Sequence, residues 1–208
     1  RVSAAAPLLG PALGGTLVRV LGAHLSASAP VECRFSAANA SSGWVALVSG
    51  EWRSTAEAVC VAPRPPAPLL AWLEVSQNGQ NFSSDEVLFG YEPPLSPTLV
   101  TPAKVPAEGG ALVRVHLGSA GALSSRAALL QLLRCRFDNG RHRVEVAASL
   151  ERGDGDALRC ASPRLAAGFA VLRVSSNGAD YSAAELQLEF VHVKLRALAP
   201  LRGPARGG

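Results

Sequence analysis

The sequence predicts an all-β chain made of two tandem copies of one disulfide-closed domain. Three observations carry that expectation. The first is self-similarity: Pro11-Ala12-Leu13-Gly14-Gly15 returns as Pro106-Ala107-Glu108-Gly109-Gly110 about 95 residues later, and opens again as Pro204-Ala205-Arg206-Gly207-Gly208. The second is alternation. The first glycine pair runs on as Thr16-Leu17-Val18-Arg19-Val20 and the second as Ala111-Leu112-Val113-Arg114-Val115, so a turn opening into a period-two strand is written twice. The third is the cysteines, which recur in matching contexts. The expected organisation is a first domain over 1–92, a proline-rich linker over 93–97, a second domain over 98–191, and the start of a truncated third repeat over 192–208.

Cys33-Arg34-Phe35 matches Cys135-Arg136-Phe137, and Cys60-Val61-Ala62-Pro63 matches Cys160-Ala161-Ser162-Pro163. Each copy holds one pair, 27 residues apart in the first and 25 in the second. Four cysteines allow three pairings. The repeat favours Cys33 with Cys60 and Cys135 with Cys160, because each domain has to close itself. Buried free thiols are the alternative. A zinc site is the weaker one, since no Cys-x-x-Cys or neighbouring His pattern accompanies them. Two disulfides imply an oxidising compartment.

Taken in order, the first copy reads as a strand over 2–9 and a turn over 10–15 whose paired Gly14 and Gly15 permit positive φ. The next strand carries Leu17, Arg19 and Leu21 on one face and Thr16, Val18 and Val20 on the other. Residues 31–35 form a strand with Val31, Cys33 and Phe35 facing in. Strands over 44–48 and 58–61 follow, separated by a turn over 51–56. After a proline-dense connection comes a long strand over 69–76. Asn78-Gly79 then signals a hairpin of the primed type, and a segment ending at Tyr91 closes the domain. The second copy keeps this order, with turn glycines Gly109 and Gly110, a second Asn-Gly at Asn177-Gly178, and Phe190 in the place of Tyr91. It departs in one stretch. The approach to Cys135 is lengthened by an apolar insertion containing Ala127, Leu129, Leu130 and Leu133, which Ser124 or Ser125 would cap as a helical turn or two. It reads either as a short helix covering one domain end or as an apolar loop for a neighbour.

Composition excludes more than it assigns. The net charge is +4 with 17% charged residues, and there is no run of five or six like charges, so no nucleic-acid or membrane tail is expected. Lys104 and Lys194 are the only lysines, and the Arg, Ala and Gly excess reflects GC-rich coding rather than chemistry. No apolar stretch approaches a membrane span, so direct insertion is not expected. The segment from Arg1 to Pro11 lacks a signal-peptide core, and any signal or anchor is expected outside the chain given. His24, His116, His142 and His192 show no metal-ligand spacing. Gly153-Asp154-Gly155-Asp156 offers too few acids for calcium and reads as an ordinary hairpin. No nucleophile elbow or phosphate loop occurs. No catalytic, metal or cofactor residue is therefore expected, and the chain is expected not to be an enzyme. Two sequons, Asn39-Ala40-Ser41 and Asn81-Phe82-Ser83, mark candidate glycosylation sites, both in the first copy. Arg141 and Arg143 flank His142 as a small basic tip, a candidate contact for an acidic partner or a solvated hairpin end.

Four motifs in constant order resemble the IPT/TIG family of immunoglobulin-like domains: the Gly-Gly turn with its Val-x-Val strand, the Cys-Arg-Phe, the Cys-x-x-Pro, and the Val-Ser-x-Asn-Gly-x-x-Phe/Tyr-Ser segment. The resemblance covers about 2–92 and 95–191 and the opening of a third copy. It implies an antiparallel sandwich of about seven strands per repeat. It also implies a structural or adhesive segment of an extracellular or cell-surface glycoprotein, for example in a cell wall, gamete adhesion or a ciliary appendage. A receptor stalk is the alternative, and a DNA-binding immunoglobulin-like domain is disfavoured by the cysteine pairs and sequons. The expected partners are neighbouring repeats of the chain and other extracellular proteins or copies of itself, with edge strands and the 127–133 insertion as the first candidate surfaces.

Overall fold

The computed structural model describes residues 1–118, 132–151 and 156–194. The first sandwich comprises β1 (Val2–Ala6), β2 (Leu9–Pro11), β3 (Leu17–Gly22), β4 (Val31–Ala37), β5 (Val45–Ser54), β6 (Glu57–Val61), β7 (Leu70–Ser76) and β8 (Val87–Glu92), with a 3-10 turn at Ala40–Ser42. The second comprises β9 (Pro97–Thr101), β10 (Lys104–Pro106), β11 (Leu112–Leu117), β12 (Arg134–Asp138), β13 (Arg143–Glu151), β14 (Ala157–Ala161), β15 (Gly168–Ser175) and β16 (Leu186–Val191). Hydrogen bonding runs β1-β3-β6-β5-β4-β7-β8-β2 in the first and β9-β11-β14-β13-β12-β15-β16-β10 in the second, which is the same topology twice. The two are tandem immunoglobulin-like sandwiches.

Two departures from the sequence reading have one cause: single strands serve both layers. The strand expected over 2–9 is two. β1 pairs antiparallel with β3 in one layer, and β2 pairs parallel with β8 in the other. Pro7, which cannot donate to a ladder, stands at the switch. β9 and β10 repeat the arrangement around Pro102. Each sandwich thus has eight strands and one parallel pairing rather than about seven antiparallel ones. Likewise, the turn expected over 51–56 is mostly strand. β5 pairs with β4 from Val45 to Gly50, then with β6 from Gly50 to Ser54. β13 crosses in the same way.

The core follows from alternation. Val18 and Val20 are buried while Leu17 points to solvent, and Val31, Cys33 and Phe35 face in. Phe35 meets Phe89 edge to face at 5.8 Å between ring centroids, and Phe137 meets Phe190 at 6.2 Å. Each such ring stabilises the fold by about 1.5–3 kcal/mol through burial. Disulfides join Cys33 to Cys60 and Cys135 to Cys160, with Cα separations of 6.3 and 6.4 Å. Each links the two strands that flank the crossing strand. At the first crossing Gly50 leaves the room they need: a Cβ there would lie 2.8 Å from Val31 Cγ1 and 2.9 Å from Cys33 Sγ. Leu133, expected as a candidate interaction residue, is instead fully buried in the second core. Ala127, Leu129 and Leu130, with the expected helical turn, lie outside the described residues, as does most of the Gly153–Asp156 hairpin. The sheet edges are short strands of three and five residues, which limits their use as pairing templates.

The turn glycines adopt left-handed φ: Gly14 at 74°, Gly15 at 90°, Gly109 at 82° and Gly110 at 84°. They differ in surroundings. A Cβ at Gly15 meets nothing within 4 Å, whereas one at Gly14 would sit 2.8 Å from the Arg64 nitrogen and 3.0 Å from the Pro63 carbonyl carbon. Gly15→Ala is therefore expected to cost about 1–2 kcal/mol, the strain of φ alone, in urea unfolding. Gly14→Ala is expected to cost clearly more, because backbone has to move. Among the described residues the buried Tyr91 hydroxyl has no hydrogen-bond partner, and burial pushes its pKa up. Tyr91→Phe, which reproduces Phe190 of the second domain, is expected to be neutral or stabilising by about 1 kcal/mol. A loss of stability in the same unfolding assay would contradict that.

Candidate functional site: the joint between the sandwiches

The segment after β15 builds its own turn. Asn177 Oδ1 accepts the backbone N–H groups of Ala179 at 2.9 Å and Asp180 at 2.8 Å, and the Ser175 hydroxyl at 3.1 Å. Ser175 Oγ accepts from Gly178 N at 2.9 Å, and Ser182 Oγ from Val174 N at 3.3 Å. The first domain repeats four of these five bonds. Asn78 Oδ1 accepts from Gln80 N, Asn81 N and Ser76 Oγ, and Ser83 Oγ accepts from Val75 N. The aromatic of the motif lies over an arginine in both copies, Phe82 over Arg34 at 4.2 Å and Tyr181 over Arg136 at 3.8 Å. This is an Asx-type loop, not the primed hairpin expected from Asn-Gly. Only the glycines, Gly79 and Gly178, have positive φ, whereas a type I′ turn needs two such residues.

That turn uses the asparagine carbonyl and leaves its amide to donate. In the second domain the amide crosses to the first. Asn177 Nδ2 donates to the Leu9 carbonyl at 2.9 Å and to Asp180 Oδ2 at 2.8 Å, and Thr16 Oγ1 donates to the same Asp180 oxygen at 2.6 Å. Thr16 and Asn177 are buried and Asp180 half-buried, so these are satisfied polar groups in a partly buried contact, where hydrogen bonds are stronger than in water. Leu9 is fully buried and packs with the hydrophobic cluster of the second domain. A cleft beside it is lined by Ala6, Pro7 and Leu8 from one side and Leu132 and Ala179 from the other. The two sandwiches therefore share an interface with a buried polar centre.

The first domain is shaped for this role and the second is not. Gly10 leaves the space Thr16 occupies: a Cβ there would fall on Thr16 Oγ1 and lie 2.8 Å from Phe89 Cζ. The second domain has Val105 and Ala111 at these two places, and Lys104, paired with Glu189 at 2.8 Å, at that of Leu9. Asn177, Asp180, Leu9, Gly10 and Thr16 were not candidate residues in the sequence reading. Their one visible signal is the exchange of Gly10 and Thr16 for Val105 and Ala111 between otherwise matching segments.

The remaining candidates are scattered. Asn39 and Asn81 are exposed on loops, and Asn39 Oδ1 accepts from Ser41 N at 2.8 Å. Arg143 is bound to Asp138 Oδ2 at 3.0 Å, so the basic tip is partly neutralised and Arg141 is its outer charge. The Gly140 N–H and Arg143 hold the Asp138 carboxyl below its usual range. His142 and His192, separate in sequence, line one cleft with Glu108 and Arg164 at the far end of the second domain. Glu108 accepts a contact from His192 Nδ1 at 3.4 Å. Among the described residues no group of three His, Cys, Asp or Glu is placed to hold a metal ion.

If the joint acts as a unit, its members are coupled. A double-mutant cycle on Thr16→Val and Asp180→Ala is expected to give a coupling energy of about 0.5–3 kcal/mol in urea unfolding. Additive effects would mean that the bond carries no energy across the joint.

No known family profile matches the chain, and no curated protein does. Among solved structures it is similar to the extracellular region of plexin A4, with 18% identity and a TM-score of 0.48 over 81% of this chain and 13% of that one. It is also similar to FdeC, an Escherichia coli adhesin, with 12% identity and a TM-score of 0.38 over 92% of this chain and 66% of that one. A third is invasin, a bacterial integrin-binding protein, with 12% identity and a TM-score of 0.31 over 93% of this chain and 40% of that one. The chain thus spans less than two thirds of each of these proteins.

Proposed function

We propose that the chain is a non-enzymatic structural or adhesive segment of an extracellular or cell-surface glycoprotein, built of IPT/TIG-type repeats. Its work is mechanical: to hold neighbouring domains at a set angle and so to present surfaces elsewhere in the protein to other extracellular proteins or to further copies. The observation that carries this reading is the joint. A buried Asn177 amide, an aspartate and a threonine hydroxyl in one contact oppose free rotation of the domains. A disulfide in each sandwich supports an oxidising compartment, and the two exposed sequons fit the same setting.

A receptor stalk would use the same joint. A nucleic-acid reading finds little support, because many basic residues among those described are paired with acids. Arg19 pairs with Glu57, Arg34 with Glu74, Lys104 with Glu189 and Arg143 with Asp138. A phosphate-binding stripe needs clustered free cations.

Non-reducing peptide mapping of the protein purified from its native source tests the compartment. The expected result is Cys33 linked to Cys60, Cys135 linked to Cys160, and hexose mass on Asn39 or Asn81. Free thiols together with bare asparagines would overturn the extracellular reading.

A further inference from the structure

The outer faces of the two β5-type sheets differ although their frames match. In the first sandwich one cross-strand row reads Val45, Ser36, Trp72, Leu88. The same row of the second reads Arg143, Asp138, Val171, Gln187. One row along, Leu47 stands where the second sandwich has Glu145. Val45 is 57% exposed, Leu47 54% and Leu70 43%, so the first domain carries a solvent-facing apolar strip. Ser36 interrupts the row between Val45 and Trp72, and apolar groups gathered in this way on one sheet face favour an occupant.

Asn39 borders this strip, and Asn81 stands toward the opposite end of the same sheet, beyond the Arg34–Glu74 pair. Asn39 follows directly on Ala38, whose N–H donates to the Leu70 carbonyl at 2.8 Å, and on Ala37, whose N–H donates to the Trp44 carbonyl next to Val45. Asn81 precedes Phe82, whose ring lies over Arg34 on the outer side of β4. The second domain has the more charged row, with Arg143 and Asp138 in place of Val45 and Ser36, and no sequon. The fuller apolar row and the acceptor asparagines thus occur together in one copy, whereas the other has no sequon and keeps Phe169, 67% exposed at the place of Leu70, beside a charged row.

We propose that N-linked glycans on Asn39 and Asn81 lie along this sheet face and cover the Val45–Trp72–Leu88 strip, making it a carbohydrate-covered surface rather than a protein-docking one. The inference rests on the glycoprotein reading above. A pyranose ring has one face of C–H groups that packs on an indole or aliphatic side chain and another rim of hydroxyls that meets water. It therefore buries the strip and presents a polar exterior. Trp72 at the centre of the row is the principal contact. The surface left bare for protein partners is then that of the second domain.

The test uses the whole chain secreted from an N-glycosylating host, with site occupancy read by glycopeptide mass spectrometry. Hydroxyl-radical footprinting then compares it before and after enzymatic removal of the glycans under native conditions. Oxidation of Trp72, Leu70 and Val45 is expected to rise severalfold, while Phe169, exposed on the second domain, and Leu112 stay unchanged. Ser41→Ala removes the first sequon without touching the Asn39 cap, which uses the Ser41 backbone N–H. Asn81→Gln removes the second without disturbing Ser83 Oγ. Each is expected to raise oxidation at its own end of the sheet. Occupied asparagines with unchanged oxidation at Trp72 would overturn the inference and leave the glycoprotein reading standing. Unoccupied asparagines would overturn both.

Discussion

Each sandwich depends on one strand that belongs to two layers. β5 gives its first half to β4 and its second to β6, and β13 does the same in the second domain. A strand that turns such a corner leaves its two neighbours facing each other across the core, and the cysteines stand on those neighbours. The disulfide spans the corner and ties layer to layer at the place where the ladder changes partner. It restricts the unfolded chain there, an effect of about 2–4 kcal/mol for loops of this order. Gly50, which a side chain would drive into Val31 and Cys33, belongs to the same constraint. The edge-to-face phenylalanines fill the space beneath.

On this frame the Ser-x-Asn-Gly loops act as modules with two ends. The asparagine carbonyl holds the loop together, and the amide is left to donate. In the second domain the amide reaches the Leu9 carbonyl, and Asp180 collects both that amide and the Thr16 hydroxyl. The first domain's copy carries Asn81 at the place of Asp180 and is exposed. One loop design therefore serves two purposes, and what faces it decides which. The receiving surface exists because Gly10 yields its volume to Thr16. Val105 and Ala111 divide the same volume the other way and supply no hydroxyl.

The two copies share an apolar interior and differ more in their exteriors. Most inward positions stay apolar, some identical, as Phe35 and Phe137 or Cys60 and Cys160, and some exchanged in size, as Ala58 for Leu158 and Phe89 for Leu188, because the core has to be filled without polar groups left unpaired. Outward positions are free of that constraint and have diverged into an apolar row in one domain and a charged one in the other. That divergence distinguishes the surfaces of the two domains, since their folds do not.

Much of the frame was legible in the chain alone. Alternation places Val18, Val20, Val31 and Phe35 inside, because a strand's side chains point to opposite faces by geometry. Repetition assigns the cysteine pairs, because each copy closes itself. Paired glycines mark the left-handed turns. Other features were not legible for a physical reason: local pattern does not encode which strand a residue pairs with. The split of the first strand, the continuation of β5 through 51–54 and the parallel pairings of β2 and β10 are all choices of partner. Asn-Gly could be read as a primed hairpin because the dipeptide fits that turn locally, while the serines at 175 and 182 and their copies at 76 and 83 close a different loop. Leu133 read as an apolar loop residue, yet its neighbours in space are the second core. The joint was the least legible of all. Asn177 and Leu9 lie 168 residues apart, and only the folded chain brings a spare amide to an unpaired carbonyl.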